Sequence, residues 1–99
     1  MKGPHIIASV RFYSSEEGGR CLTTAPNVFK CPLEFQGEMF DCGLHLDKSG
    51  ALEPGARATV PITFLCPELI KPRLKTGSRF TLWEMRTIAE GVVEEILPD

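Results

Sequence analysis

The sequence has little of what marks a secreted or membrane-bound protein. Its four cysteines include no Cys-x-x-Cys pair, and a disulfide scaffold would need an oxidising compartment to which no recognisable signal peptide directs the chain. No apolar run is long enough to span a bilayer. We therefore expect a cytoplasmic protein with reduced thiols and no membrane partner.

The chain also carries no large excess of positive or negative charge. The net charge is -2 at pH 7, so no overall positive field attracts nucleic acid through counterion release. Any contact with RNA must then come from a local basic patch.

What is present is the composition of one globular domain. The chain has 99 residues, of which 42% are hydrophobic and 24% are charged, and this lies well away from the range of disordered chains. The length is close to the common size of one domain and too short for two ordinary ones. We expect a single domain over residues 1–99.

Apolar residues recur mainly at every second position, which is the pattern of half-buried strands. The pattern predicts strands at His5–Tyr13, over Cys31–Leu46 with a bulge or turn near Gly37, at about Arg57–Leu65, and in two further segments after Gly77. Segments rich in glycine, proline and serine between the strands predict turns. Five to seven short strands with such turns indicate an antiparallel β-sandwich or barrel.

Two proline-containing segments carry local predictions. Pro61 cannot donate a hydrogen bond to a ladder, so we predict that its strand lies at a sheet edge or beside a bulge. The segment Cys66–Gly77 contains two prolines and is predicted to be a long loop with one helical turn at Glu68–Ile70.

The last part of the chain carries a longer motif. Residues Gly77–Val93 run Gly-Ser-Arg-Phe-Thr-Leu-Trp-Glu-Met-Arg-Thr-Ile-Ala-Glu-Gly-Val-Val, and this segment resembles the closing hairpin of the third domain of elongation factor Tu. The positions that match the family are Arg79, Phe80, Leu82, Glu84, Arg86, Thr87, Ile88, Gly91, Val92 and Val93. Further anchors in the family order are Glu17–Arg20, Pro54–Gly55 and Pro67. The resemblance implies an all-β fold, a single antiparallel β-barrel of about six strands.

The departures from that family bear on function. Met85 stands where the family has Gly-Gly, so the turn is shorter and lacks residues that tolerate positive φ. Only Glu84 and Arg86 carry over from the turn that in the family lies against aminoacyl-tRNA. No phosphate-binding Gly-x-x-x-x-Gly-Lys-Ser/Thr loop is present, so we expect no GTP binding and no cofactor. The resemblance implies a non-enzymatic module that holds a protein partner, with translation factors and their regulators as candidates.

The alternative is an RNA-binding module with a local basic patch. In an extended loop, Lys71, Arg73 and Lys75 would alternate onto one side, near Arg79 and Arg86, where they could meet phosphate oxygens or an acidic protein surface. Solvated loop charges are the competing interpretation of the same residues.

Trp83 and Glu84 complete the candidate binding set. If the Trp83 ring is exposed beside Arg86 it is a candidate interface anchor, and if it is buried it belongs to the core. The charged glycine loop Glu16–Arg20 is a second docking candidate, with a solvated hairpin tip as the alternative.

The cysteine and histidine residues are candidates for metal binding and for catalysis. Cys42 and His45, together with Cys31 or Cys66, are conceivable zinc ligands, but Cys42 and His45 are three apart and in a strand would point to opposite faces. A catalytic set of Cys42, His45 and Asp47 fails because the three are nearly sequential on an extended chain. We interpret the cysteines as buried small hydrophobes, and we predict neither a metal site nor enzymatic activity.

Overall fold

The computed structural model describes residues 3–98, and these form six antiparallel strands closed into a barrel. The strands are β1 Ile6–Phe12, β2 Val28–Phe35, β3 Glu38–His45, β4 Arg57–Phe64, β5 Arg79–Trp83 and β6 Thr87–Ile96. One short helix, α1 Pro67–Ile70, and 3-10 turns at Ser15–Glu17 and Lys71–Arg73 lie in the connections. The predicted all-β antiparallel barrel of about six strands is confirmed.

The strand order around the wall is β1-β4-β3-β2-β5-β6, and β6 pairs with β1 to close it. Because neighbouring strands are antiparallel, the connections fall at two ends. One end carries the turn Gln36–Gly37 and the connection 65–78, and we call it the loop end. The other carries the turn Glu84–Arg86 with the connections 13–27 and 46–56, and we call it the tip end.

The core fills the barrel because every second strand residue points inward. In β1, Ile6, Ala8, Val10 and Phe12 are at most 1% exposed, and the residues between them are half-buried. The largest fully buried side chains are Phe12, Phe64, Ile6, Leu33, Leu44, Leu46, Ile62, Ile70, Leu82, Ile88, Val10 and Val60. The periodicity of the sequence therefore corresponds to the two faces of the wall.

The predicted turn near Gly37 is a tight hairpin. Gln36 and Gly37 have φ values of 53° and 81°, the left-handed geometry that two-residue hairpin turns need. The register places Leu33 opposite Phe40 and Phe35 opposite Glu38. Inward residues therefore have odd numbers on β2 and even numbers on β3. This is why the apolar positions of the sequence change from odd to even at the turn.

Neither predicted position of Pro61 is found. β4 is not an edge strand, because it lies between β1 and β3 in a closed barrel, and neither of its ladders has the register shift of a bulge. The His5 amide donates to the Ile62 carbonyl at 2.9 Å, so the backbone polar groups of Ile62 point towards β1. Those of the adjacent Pro61 therefore point towards β3. The β3–β4 ladder ends at the pair Leu44 and Ile62. The missing N–H therefore falls just beyond the ladder and interrupts no strand pairing.

The long connection from β4 to β5 contains the predicted helical turn, α1. The 3-10 turn Lys71–Arg73 follows it directly, and Ile70 and Leu74 on either side are buried beneath the connection. Within residues 3–98, no helix combines the length and apolar character needed to cross a membrane.

Candidate functional site

The predicted binding residues do not form one patch. Lys71, Arg73 and Lys75 lie in the connection at the loop end, and Arg79 begins β5 at the same end. Trp83, Glu84 and Arg86 lie at the tip end. The five residues of β5 separate the two groups by about 13 Å along the strand.

Arg73 is held by the protein itself. Its guanidinium donates to Glu38 Oε1 at 2.9 Å and to Gln36 Oε1 at 2.8 Å. It also lies 5.6 Å from the ring centroid of Phe35 and 5.5 Å from that of Phe40. Arg73 therefore fastens the β4–β5 connection onto the β2–β3 hairpin, and its charge is largely committed to that contact.

The predicted alternation of Lys71, Arg73 and Lys75 on one side of an extended loop is wrong. Lys71–Arg73 is a 3-10 turn, in which residues two apart do not share a face. Lys75 follows the buried Leu74 and is exposed, with its backbone amide donating to Ser78 Oγ at 3.0 Å. The compact turn disperses the three basic side chains.

The β5–β6 hairpin projects a strained apolar residue at the tip end. Trp83 pairs with Thr87, and the Glu84 amide donates to the Arg86 carbonyl at 2.8 Å. Met85 between them has a φ of 64° and is 90% exposed. The turn thus takes the left-handed geometry that suits glycine, with a methionine at the position that adopts it.

Arg20 fastens the β1–β2 connection to this hairpin. One guanidinium nitrogen donates to both carboxylate oxygens of Glu84, at 2.7 and 2.8 Å. The other nitrogens donate to the Leu22 carbonyl at 3.2 Å and the Thr23 carbonyl at 3.4 Å, and the guanidinium lies 4.9 Å from the ring centroid of Phe29. Only 17% of the Arg20 side chain is exposed, whereas 44% of the Glu84 side chain is exposed, so the ion pair lies at the surface with its arginine largely covered.

A second arginine adds to this attachment. Arg86 donates to the Gly19 carbonyl at 3.4 Å. Gly19 is packed so closely that a Cβ there would lie 2.4 Å from the Tyr13 carbonyl oxygen, so only glycine fits. The loop and the hairpin therefore present one ordered surface, held by contacts at two points.

A concave surface of about 670 Å³ lies between this loop and the hairpin. It is lined by Arg20, Cys21, Leu22, Glu84, Met85, Arg86 and Ile88. Leu22 is 73% exposed. Trp83, which precedes Glu84 at the end of β5, is 37% exposed. We call the group of Leu22, Trp83, Glu84, Met85 and Arg86 the tip surface.

The sequence predicts only part of the tip surface. Trp83, Glu84 and Arg86 were predicted, and Trp83 lies on the outer face of β5 rather than in the core. Leu22 and the projecting Met85 were not predicted as site residues. The available signal was Leu22 itself, an isolated apolar residue in a connection without strand periodicity.

A second concavity lies on the outer wall of β2, β3 and β4. It encloses about 410 Å³ and is lined by Val28, Lys30, Cys31, Pro32, Asp41, Cys42, Gly43, His45, Thr63 and Leu65. Gly43 leaves the middle of the wall without a side chain. We call this concavity the wall groove.

The conceivable Cys42 and His45 pair is divided between the two faces of β3, as predicted. Cys42 is buried and donates to the Cys31 carbonyl at 3.3 Å. Side-chain hydrogen bonding with Cys31, followed by burial, holds the pKa of the Cys42 thiol well above its ordinary value. His45 points outward, with Nε2 2.6 Å from Thr63 Oγ1. In the described part of the chain, no three His, Cys, Asp or Glu side chains group in a way that could hold a metal ion.

Comparisons with known proteins add no relative. Neither a protein-family model nor a curated protein matches the sequence.

Proposed function

We propose that this chain is a non-enzymatic binding module that holds a protein partner on the tip surface. The observation that carries the proposal is Met85, which is 90% exposed and held at a φ of 64°. A residue other than glycine in this region costs on the order of 1 kcal/mol or more. Strain of this kind, on a side chain that is almost fully exposed, is accounted for by a contact outside the fold.

The surroundings of Met85 have the composition of a protein interface. Apolar Leu22 and charged Glu84 and Arg86 line the same concavity as Met85, and exposed Trp83 lies two residues away in the same hairpin. Apolar or aromatic anchors within a polar rim are typical of interfaces, and tryptophan is enriched among the residues that contribute most to binding.

The fixed geometry of the surface also favours binding. Arg20 bonds both to Glu84 and to the backbone of its own loop, so the loop and the hairpin are already positioned before a partner arrives. A preorganised surface loses less conformational entropy on binding than a mobile one.

The chemistry of the tip surface defines the partner. Met85 fits an apolar pocket on the partner. Within residues 3–98, the Arg86 side chain bonds to a carbonyl and to no carboxylate, so it fits an acidic side chain at the pocket's rim. The resemblance of Gly77–Val93 to elongation factor Tu makes translation factors and their regulators the first candidates.

RNA binding is the weaker alternative. Arg11, Arg20 and Arg73 are each bonded to a glutamate. Arg57 and Arg79 line one concavity with Arg11, but Glu34 and Glu90 line it too. The predicted basic residues themselves are divided between the two ends of the barrel, with Arg86 at the tip end. Phosphate binding benefits from several unpaired cations on one face, and the predicted patch does not assemble.

The test is affinity capture from lysate with three forms of the chain: wild type, Met85→Asp and Leu69→Asp. Aspartate tolerates left-handed geometry, so Met85→Asp changes the chemistry of the tip rather than its backbone. Leu69 is 58% exposed at the loop end and provides a matched control. We expect a protein that is retained by wild type and Leu69→Asp and is lost with Met85→Asp.

Two results would overturn the proposal. One is capture that Met85→Asp leaves unchanged. The other is capture that ribonuclease abolishes, together with binding to purified tRNA that weakens steeply as salt rises, which would favour the RNA-binding alternative.

A further inference from the structure

The wall groove contains an apolar recess, called the hole, beside a projecting apolar side chain, called the knob. Lys30 lies opposite Gly43, and Pro32 lies opposite Asp41, on the outer face of the β2–β3 ladder. Gly43 forms the hole because it has no side chain, and the recess is flanked by Val28 and Lys30, whose Cγ atoms would lie 3.3 Å and 3.9 Å from a Cβ at this position. A leucine-sized side chain of another molecule fits such a gap between apolar walls.

Leu65 is the knob. The Leu65 amide donates to the Asp41 carbonyl at 3.0 Å, which continues the β3–β4 pairing and fixes Leu65 at the rim of the groove. Its side chain is 66% exposed. One face of the barrel therefore presents both an apolar projection and an apolar recess.

The charges at the groove are also complementary. Lys30 and Asp41 both line it and are both exposed. Within residues 3–98, neither side chain has an ion-pair or hydrogen-bond partner. A cation and an anion on the same face are self-complementary under a two-fold axis, because residue i of one copy then meets residue j of the other, and the reverse.

We propose that the wall groove is the interface of a homodimer. A second copy of this chain docks on it around a two-fold axis, and Leu65 of each copy enters the other's recess above Gly43. Lys30 of each copy pairs with the partner's Asp41. The contact area is modest, so the dimer is weak and concentration-dependent.

The homodimer is independent of the proposed function. The wall groove lies on the side of the barrel formed by β2, β3 and β4, whereas the tip surface lies at one end. A dimer of this kind presents two tip surfaces at once, which raises the apparent affinity for a partner that is itself multivalent.

The test is sedimentation velocity over a wide range of concentration, using wild type, Lys30→Glu and Asp41→Lys. Wild type should shift towards the dimer as concentration rises. Lys30→Glu places two acidic residues in the groove, and Asp41→Lys places two basic residues there, so each variant alone should stay monomeric at concentrations where wild type dimerises.

Mixing the two variants provides the decisive measurement. Every contact in the mixed pair joins a basic residue to an acidic one, so the mixture should regain the dimer although neither component forms it alone. Recovery in the mixture also shows that both variants are folded. Added salt should weaken the wild-type dimer, because its ion pairs are at the rim.

Leu65→Asp and Leu69→Asp separate the knob from general surface hydrophobicity. The first should abolish the dimer, and the second, which changes an exposed leucine outside the groove, should leave it intact. Wild type that stays monomeric throughout, or charge-reversal variants whose mixture fails to associate, would overturn the homodimer. So would a monomer whose groove binds 8-anilinonaphthalene-1-sulfonate without self-association, since this indicates a small apolar ligand instead.

Discussion

The ring of Phe80 lies against the Cα of Gly91 on the neighbouring strand. The two residues are direct cross-strand partners in β5 and β6, and a Cβ on Gly91 would lie 2.3 Å from Cζ and 2.5 Å from Cε1 of the ring. Phe80 is 4% exposed, so the ring has no free space to move into. The glycine is required here by the ring, since its φ is not in the left-handed region.

Replacing Gly91 with alanine should therefore destabilise the barrel by overpacking. We expect Gly91→Ala to lower the free energy of unfolding by about 1–3 kcal/mol, the usual cost of one extra methyl group in a packed core. Urea denaturation measures the change. Gly3→Ala is the matched control, because nothing lies within 4 Å of the added Cβ.

The same contact predicts non-additivity. Phe80→Leu removes the ring, so Gly91→Ala should cost less in the Phe80→Leu background than in wild type. Equal costs in both backgrounds would show that the alanine is harmful for a reason other than the ring.

His5 completes the pairing of β4 near the loop end. Its Nδ1 accepts a hydrogen bond from the Phe64 amide at 3.0 Å, and both residues are buried. His5→Leu should lower the free energy of unfolding by about 1–3 kcal/mol, because it leaves that amide without an acceptor. In His5→Asn, the Oδ1 atom can take the position of Nδ1, so the loss measured by denaturation should be smaller. A smaller loss with leucine than with asparagine would contradict this role.

The acid stability of the barrel should depend on Glu17. Its carboxylate accepts a hydrogen bond from the Ser14 amide at 2.9 Å and is bonded to Arg11 at 3.0 Å. These contacts hold the pKa of Glu17 below its usual value. Because the pKa is lower in the folded state, the contribution to stability is present above the usual pKa and is lost as the pH falls through the folded value.

The comparison is between wild type and Glu17→Gln, which retains a side chain suited to the capping box. Urea midpoints measured from neutral pH down through the acid range should fall more steeply for wild type than for the variant. Parallel curves would show that Glu17 titrates equally in the folded and unfolded states.

The four cysteines should react in two classes. Cys21 and Cys66 are exposed, whereas Cys31 and Cys42 are buried, and the raised pKa of Cys42 also lowers its thiolate fraction. Native protein mixed with a thiol reagent should label two cysteines quickly and the other two only on unfolding. Cys21→Ser and Cys66→Ser should each remove one fast equivalent. Fast labelling of Cys42 would indicate that β2 and β3 separate readily.

The barrel was predictable from sequence because the alternation of apolar and polar residues along a strand is a local pattern. Apolar residues at every second position identify the inward face of a strand, and Ile6, Ala8, Val10 and Phe12 follow that rule fully. The position of β4 was not predictable from Pro61. A proline favours an edge strand because it has no N–H to donate, but a closed barrel has no edge, and here the β3–β4 ladder ends beside Pro61, so no N–H is needed. The resemblance to elongation factor Tu remains a prediction.

The candidate site was predictable only in part because its contacts are distant in sequence. Arg20 and Glu84 are 64 residues apart, and Arg73 meets Glu38 across 35 residues. Residue type shows that an arginine can bind a carboxylate, but only the folded chain determines which one it reaches. Within the predicted patch, Arg73 is committed to such a pair, and the 3-10 turn Lys71–Arg73 separates the basic side chains around it.

Met85 should show opposite effects on stability and on binding. A glycine adopts its φ of 64° without strain, and even after the greater freedom of glycine in the unfolded chain is counted, we expect Met85→Gly to raise the free energy of unfolding by about 0.5–1 kcal/mol. The same change removes the most exposed side chain of the tip surface, so capture of the protein partner should weaken.

Gln36→Gly separates these two effects, because Gln36 has a φ of 53° in the turn at the opposite end of the barrel. This variant should gain stability from the same backbone relief, less the loss of the Gln36 contact with Arg73, and should keep the partner. If Met85→Gly also retained the partner at full strength, the Met85 side chain would not contribute to binding. Its left-handed φ would then have no role in partner binding.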